Sequence, residues 1–163
     1  MFFVRSEEII PCPCCQGRLG VAGSRARVCT QGTGESIKLI IRRMWCKHCH
    51  RIHHELPDTL VPCKRYDRDS IEKMVTESTP TVAADKSTLR RIRNWFFVWI
   101  VYALHALSAI EKRLQMPEGE LSSLLQSSLQ QPGHAVGGWM AKAVRPIVNS
   151  NIWVQTRSAC LSV

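Results

Sequence analysis

Residues 12–49 read CPCCQGRLGVAGSRARVCTQGTGESIKLIIRRMWCKHC, and this stretch decides the fold. It opens and closes on a C-x2-C pair, Cys12 with Cys15 and Cys46 with Cys49. Between the pairs, Arg25–Thr30 and Ser36–Trp45 alternate or carry β-branched side chains, and Gln31-Gly-Thr-Gly-Glu35 separates them as a turn. The pattern predicts a β-hairpin that returns the second pair to the first. Along its second strand Ile37, Leu39 and Ile41 share one face, while Lys38, Ile40 and Arg42 share the other. A third short strand is expected over Ile52–Leu56. Two thiolates held by each turn complete the tetrahedral set that zinc requires, so one structural Zn²⁺ on Cys12, Cys15, Cys46 and Cys49 is expected, in a zinc ribbon. Cys14 beside the first pair and His48, His50, His53 and His54 around the second are alternative donors. Cys29 and Cys63 have no such partner and read as ordinary small residues. Cys160 lies in the tail and has no assigned role.

Working outward, the chain has 163 residues, 45% of them hydrophobic, which suits one domain or two very small ones and excludes a large multidomain enzyme or global disorder. Acids appear by Glu7 without a secretory apolar run, so a cytoplasmic protein is expected. In a reducing compartment eight cysteines point to metal ligation or buried thiols rather than disulfides. The formal charge is +9, and residues 1–66 carry +6 of it. A basic segment of this kind attracts polyanions, double-stranded DNA above all, through phosphate contacts and counterion release. Arg42, Arg43, Lys47, Arg51, Lys64 and Arg65 are the phosphate candidates.

Three segments are expected: a ribbon over 1–66, a helical region over 67–116, and a C-terminal helical segment with its tail over 117–163. The fold class is therefore α+β. In the second segment Asp67 can cap a helix that puts Ile71, Met74 and Val75 on one face, turns Arg68, Glu72 and Lys73 to water, and stops near Ser78. Ser87 reads as the N-cap of a long helix that Pro117 and Gly119 end. That helix carries Leu89, Ile92, Phe96 and Trp99 on one stripe and Arg90, Arg91, Arg93 and Asn94 elsewhere. Residues 95–110 are apolar all round but shorter than the ~20 residues that span a bilayer, so a core helix or a homo-oligomer interface is expected before a membrane anchor. In the third segment Leu121, Leu124, Leu125 and Leu129 suggest an amphipathic helix, and a turn or two around Trp139–Val144 should end before Pro146.

No catalytic constellation is found. His53-His54-Glu55 lacks the second histidine of a zinc-protease helix, no phosphate loop of Walker type is present, and no Asp or Glu follows Glu120.

The runs CPCCQGRLGVAGSRARV, LIIRRMWCKHCHRIHHELPDTLVPCKRY and STLRRIRNWF resemble the zinc-ribbon plus helix-turn-helix segments found beside or within bacterial transposases and integrases. The chain looks most like a bacterial family of unknown function with a ribbon followed by an Arg-rich helix. The resemblance implies DNA binding in a mobile element without catalysis, with Arg90, Arg91 and Arg93 on a recognition helix. It also departs from ribbons at Gln16 and His50, where glycine is usual after a knuckle, so these residues must take a left-handed conformation at some cost. The function expected is that of a zinc-dependent, non-enzymatic DNA-binding accessory or regulatory protein. The alternative is a ribbon that docks a transposase- or polymerase-like partner.

Overall fold

The computed structural model describes residues 1–130, 137–153 and 158–161. Its elements are β1 (Phe2–Phe3), β2 (Leu19–Thr30), β3 (Ser36–Cys46), β4 (Arg51–Pro57), α1 (Arg68–Thr76), α2 (Lys86–Leu114), α3 (Glu120–Gln130), α4 (Trp139–Asn149) and β5 (Ser158–Leu161). The class is α+β, a sheet followed by helices. β3 is the centre of the sheet: β2 pairs with it antiparallel from Leu19↔Cys46 to Thr30↔Ser36, and β4 pairs with it antiparallel over Arg43–Cys46. β1 adds a short parallel pairing to β3, and β5 lies parallel to β4.

The hairpin is longer than its alternation predicts, because Leu19–Ser24 also pair. Those residues lack β-branched character apart from Val21, and a bulge between Val21 and Gly23 absorbs an irregularity in the register. The turn closes with the Gln31 amide donating to Glu35 O at 2.8 Å and the Gly34 amide to Gln31 O at 2.9 Å. Gly34 has φ 90°, and a Cβ there would meet the Ala83 Cβ at 3.1 Å, so both conformation and crowding call for glycine. This end of the hairpin is fastened to the helices: the Ala83 amide donates to Gly32 O, and the Asp67 amide to Thr30 O.

α1 starts as expected, with the Ser70 amide donating to Asp67 Oδ1 at 2.7 Å, and buries Ile71 and Met74 completely. Glu72 does not face water. It is buried, and its carboxylate accepts from the Gly138 and Met140 amides at 2.9 Å each, capping the first turn of α4 from 66 and 68 residues away in sequence. Glu111 on α2 does the same for α3, accepting from the Leu121 amide at 2.6 Å and the Ser122 amide at 3.0 Å.

The cap of α2 is Asp85 rather than Ser87: its carboxylate takes the Thr88 amide at 2.7 Å and the Ser87 hydroxyl at 2.6 Å. A carboxylate two residues upstream outcompetes the serine for the free helix amides. The helix ends at Leu114 on the left-handed Gln115, just ahead of Pro117. α4 runs through Pro146 instead of stopping before it. Ile147 and Val148 beyond the proline are 0% and 1% exposed, and their burial offsets the ~3 kcal/mol a helical proline costs.

One apolar cluster unites both halves, from Leu39, Ile41 and Leu56 of the sheet through Ile71 and Met74 to Phe96, Trp99, Leu107 and Ile147. Residues 95–110 form a core helix on one side only. Phe97, Val98 and Val101 are 70%, 76% and 56% exposed, because α3 and α4 cover only one side of α2. Among the described residues α2 is the one helix long and apolar enough to cross a membrane, and its other face lies in the core.

Helix-turn-helix geometry is not shown. Residues 77–85 separate α1 from α2, well beyond the 3–4-residue turn of that motif.

Candidate metal centre

The sulfurs converge because the hairpin register sets Leu19 opposite Cys46 and so returns the second knuckle to the first. Each knuckle turns on itself at the following residue. Gln16 and His50 adopt φ 60° and 53°, the left-handed conformation expected of them without glycine's freedom. The Gln16 amide donates to Cys12 O at 2.8 Å and the Cys12 amide to Gly17 O at 2.8 Å, closing the first loop. Gly17 leaves room for the metal-ready sulfurs: a Cβ there would stand 3.3 Å from Cys15 Sγ and 3.4 Å from Cys46 Sγ.

The ligand atoms of Cys12, Cys15, Cys46 and Cys49 all lie within 4.8 Å of one another. The pairs Cys12–Cys49 and Cys15–Cys46 are each 3.5 Å apart, sulfur to sulfur. That is far beyond a disulfide bond and close to the ~3.8 Å edge of a tetrahedron with metal–sulfur bonds of about 2.3 Å. Cys12, Cys14, Cys15, Cys29, Cys46, Cys49 and Cys63 are free thiols. Backbone amides of Cys49 and then His48 stabilise the Cys46 thiolate and bring its pKa down to about 6, whereas burial pushes the Cys12 and Cys49 thiols up. The donor set, its spacing and the amide bonds to sulfur fit a metal ion of zinc's type, which Cys12, Cys15, Cys46 and Cys49 would hold.

Two further donors come close. His53 is fully buried with Nε2 3.3 Å from Cys12 Sγ, and Cys14 is half-buried with Arg51 Nη1 3.5 Å from its sulfur. By sequence spacing His53 is one of several equivalent histidines. Strand register singles it out: opposite Met44 on β4, two residues from Arg51, which faces Cys46, it projects to the side of the sheet that carries Cys46.

Residues 12–92 match a domain of unknown function, DUF6431. The DUF6431 match begins on Cys12 itself, takes in both knuckles, the hairpin, β4 and α1, and ends in the first turns of α2. Nothing in the match ties the chain to transposases or to helix-turn-helix proteins. No curated protein and no solved structure matches the chain.

The basic residues singled out in the sequence divide sharply. Arg42 is committed inside the protein, its guanidinium forking onto the buried Glu55 carboxylate and donating to Ser6 O. Arg93 is committed too: Nε donates to Met74 O at 2.8 Å and Nη2 to Glu77 O at 2.7 Å, so it closes the C-terminus of α1. Both guanidiniums are thus engaged within the protein while keeping part of their surface exposed. Each arginine points at an internal carboxylate or carbonyl end that would otherwise be buried unpaired. Lys64 lies over the Trp95 ring at 3.8 Å, with burial and then Arg91 lowering its pKa. Lys47 lines an open groove of about 770 Å³ with Arg18, Trp45 and His48. Arg65, Arg90 and Arg91 are exposed.

One basic group escaped sequence reading. Register places Arg25, Arg43 and His54 on a single face of the sheet. His54 is held below its ordinary pKa by burial and then by Arg25, Arg43 and Arg27. Arg27 in turn donates to Val61 O at 2.7 Å and Lys64 O at 2.9 Å, tying the sheet to the loop that bears Lys64, on which Arg91 also acts.

Proposed function

We propose that this chain is a zinc-dependent, non-catalytic DNA-binding protein, an accessory or regulatory component of a mobile genetic element acting in the cytoplasm. The observation that carries the reading is the set of cations Arg25, Arg43 and Arg27, which act together on the neutral His54, with Lys64 and Arg91 near the start of α2. The charges acting on His54 are all cationic. A band of fixed cations along a sheet face suits the phosphate backbone of a duplex, where Lys and Arg displace condensed counterions. Arg43, Lys47, Arg51, Lys64, Arg65, Arg90 and Arg91 remain the contacts from the original set, and Arg25 joins them. The association with a mobile element rests on the sequence resemblance alone.

The test is duplex binding by the zinc-loaded chain at several salt concentrations. Arg25→Ala and Arg43→Ala should each lower the salt slope by about one unit and weaken all sequences alike. No cleavage is expected with or without Mg²⁺. A slope near zero overturns the reading.

A second reading is favoured by the exposed Phe97, Val98 and Val101 on α2: the chain docks a transposase- or polymerase-like partner through that strip. Binding to such a partner that survives high salt and is lost in Val98→Asp separates it from the first.

A further inference from the structure

We propose that the cysteine cluster holds two thiophilic divalent ions, bridged by the Cys12 and Cys49 thiolates. The inference rests on the reading of Cys12, Cys15, Cys46 and Cys49 as metal ligands and is independent of DNA binding. Beside that quartet stands a second: Cys12, Cys14, Cys49 and His53, whose four ligand atoms also lie within 4.8 Å of one another. The two quartets share one edge, Cys12–Cys49, at 3.5 Å. A shared edge of two sulfurs is what a doubly bridged pair of tetrahedral ions needs, each ion taking both bridging thiolates and two terminal ligands of its own.

The terminal ligands divide cleanly. Cys15 and Cys46, 3.5 Å apart, complete the first site. Cys14 and the buried His53 complete the second, with His53 Nε2 already 3.3 Å from the bridging Cys12 sulfur. Charge favours the arrangement as well. Four thiolates around a single divalent ion leave a net charge of −2, whereas five thiolates shared by two ions leave −1, and Arg51 stands beside Cys14 to meet the remainder. The order Cys12-Pro13-Cys14-Cys15 acquires a reason: one tight turn supplies a bridge and one terminal ligand to each ion.

The full chain, loaded with Zn²⁺ and freed of excess, should contain two ions by elemental analysis. Loaded with ¹¹³Cd²⁺ it should give two resonances that couple through the shared sulfurs. Cys14→Ser should drop the count to one and remove one resonance, while the amides of β2 and β3 keep their protection from hydrogen exchange. His53→Gln should do the same, and because His53 is buried, Cys14→Ser serves as the deciding variant. One ion in the natural chain, unchanged in Cys14→Ser, overturns the proposal and leaves His53 as a hydrogen-bond donor to the Cys12 thiolate of a single four-cysteine site. Two ions whose number is unchanged in Cys14→Ser also overturn it.

Discussion

The sheet half and the helical half of this molecule solve the same problem by different means. From Gly20 to Ala26 the hairpin strand β2 is exposed on both faces, so this end of the sheet has little apolar surface to bury, and the four-cysteine cluster stands beside it. The helical half instead buries Phe96, Trp99, Leu107, Met140 and Ile147 and closes two of its helix ends with carboxylates from elsewhere in the chain. A small domain without enough core needs a metal or another staple, whereas one with a core can spend polar residues on caps. The difference is one of distance: knuckle ligands lie three residues apart within each pair, and the caps act across up to 68 residues.

The largest effect follows from breaking the ribbon's means of closure. Cys12→Ser or Cys49→Ser should lose the bound metal and the hydrogen-exchange protection of β2 together, since apparent binding energies at structural zinc sites reach ~10–16 kcal/mol near neutral pH. α2 and α4 should keep their helical signal. Cys63→Ser should change neither, because Cys63 is exposed and outside both donor quartets.

Glu72→Ala attacks the other half. It strands the Gly138 and Met140 amides at the start of α4 and should cost about 2–4 kcal/mol in denaturant unfolding, with the metal content unchanged. A loss below about half a kcal/mol would show that water replaces the carboxylate.

The arginines of α2 sharpen the contrast between structural and exposed charge. Arg93→Ala removes bonds to the end of α1 and should lower stability by about 1–2 kcal/mol. Arg90→Ala, at an exposed position, should leave stability within about half a kcal/mol and reduce duplex affinity instead. If the two exchange effects, the division drawn between them is wrong.

The smallest effect is acid-dependent. The Ser87 hydroxyl and the Thr88 amide hold the Asp85 carboxyl at about 2, below its ordinary 3.8. A depressed carboxylate stabilises the fold fully above the unfolded value and loses that contribution as pH falls from 3.8 through about 2. Asp85→Asn should therefore flatten this part of the acid limb, measured by helix content against pH.

The features legible in the sequence were local ones. The knuckles, the turn at Gln31–Glu35, the alternation of Ile37, Leu39 and Ile41, the Asp67 cap and the left-handed Gln16 and His50 all depend on neighbours a few residues away. What escaped depends on partners brought together by the fold. Glu72 carries the signature of a solvated helix position until α4 arrives above it, and Arg42 and Arg93 look like free cations until Glu55 and the end of α1 claim them. Pro146 looks like a stop because its local cost is visible and the burial of Ile147 is not. His53 required the β3–β4 register, and with it a reader of the sequence could have placed that histidine on the face of Cys46.

The outer side of β2 has one further consequence, for solubility. Among the described strands β2 pairs with β3 alone, so short of Thr30, which bonds Arg65 and Asp67, its other edge offers backbone donors and acceptors to any strand that approaches. What blunts this edge is the bulge after Val21, which interrupts a flat run, and the positive charge of Arg25, which repels a second copy. The same arginine is thus a guard against strand-to-strand aggregation while the protein is alone. Any polyanion that neutralises it would remove the guard, and concentrated protein mixed with one should be least soluble at the point of charge balance.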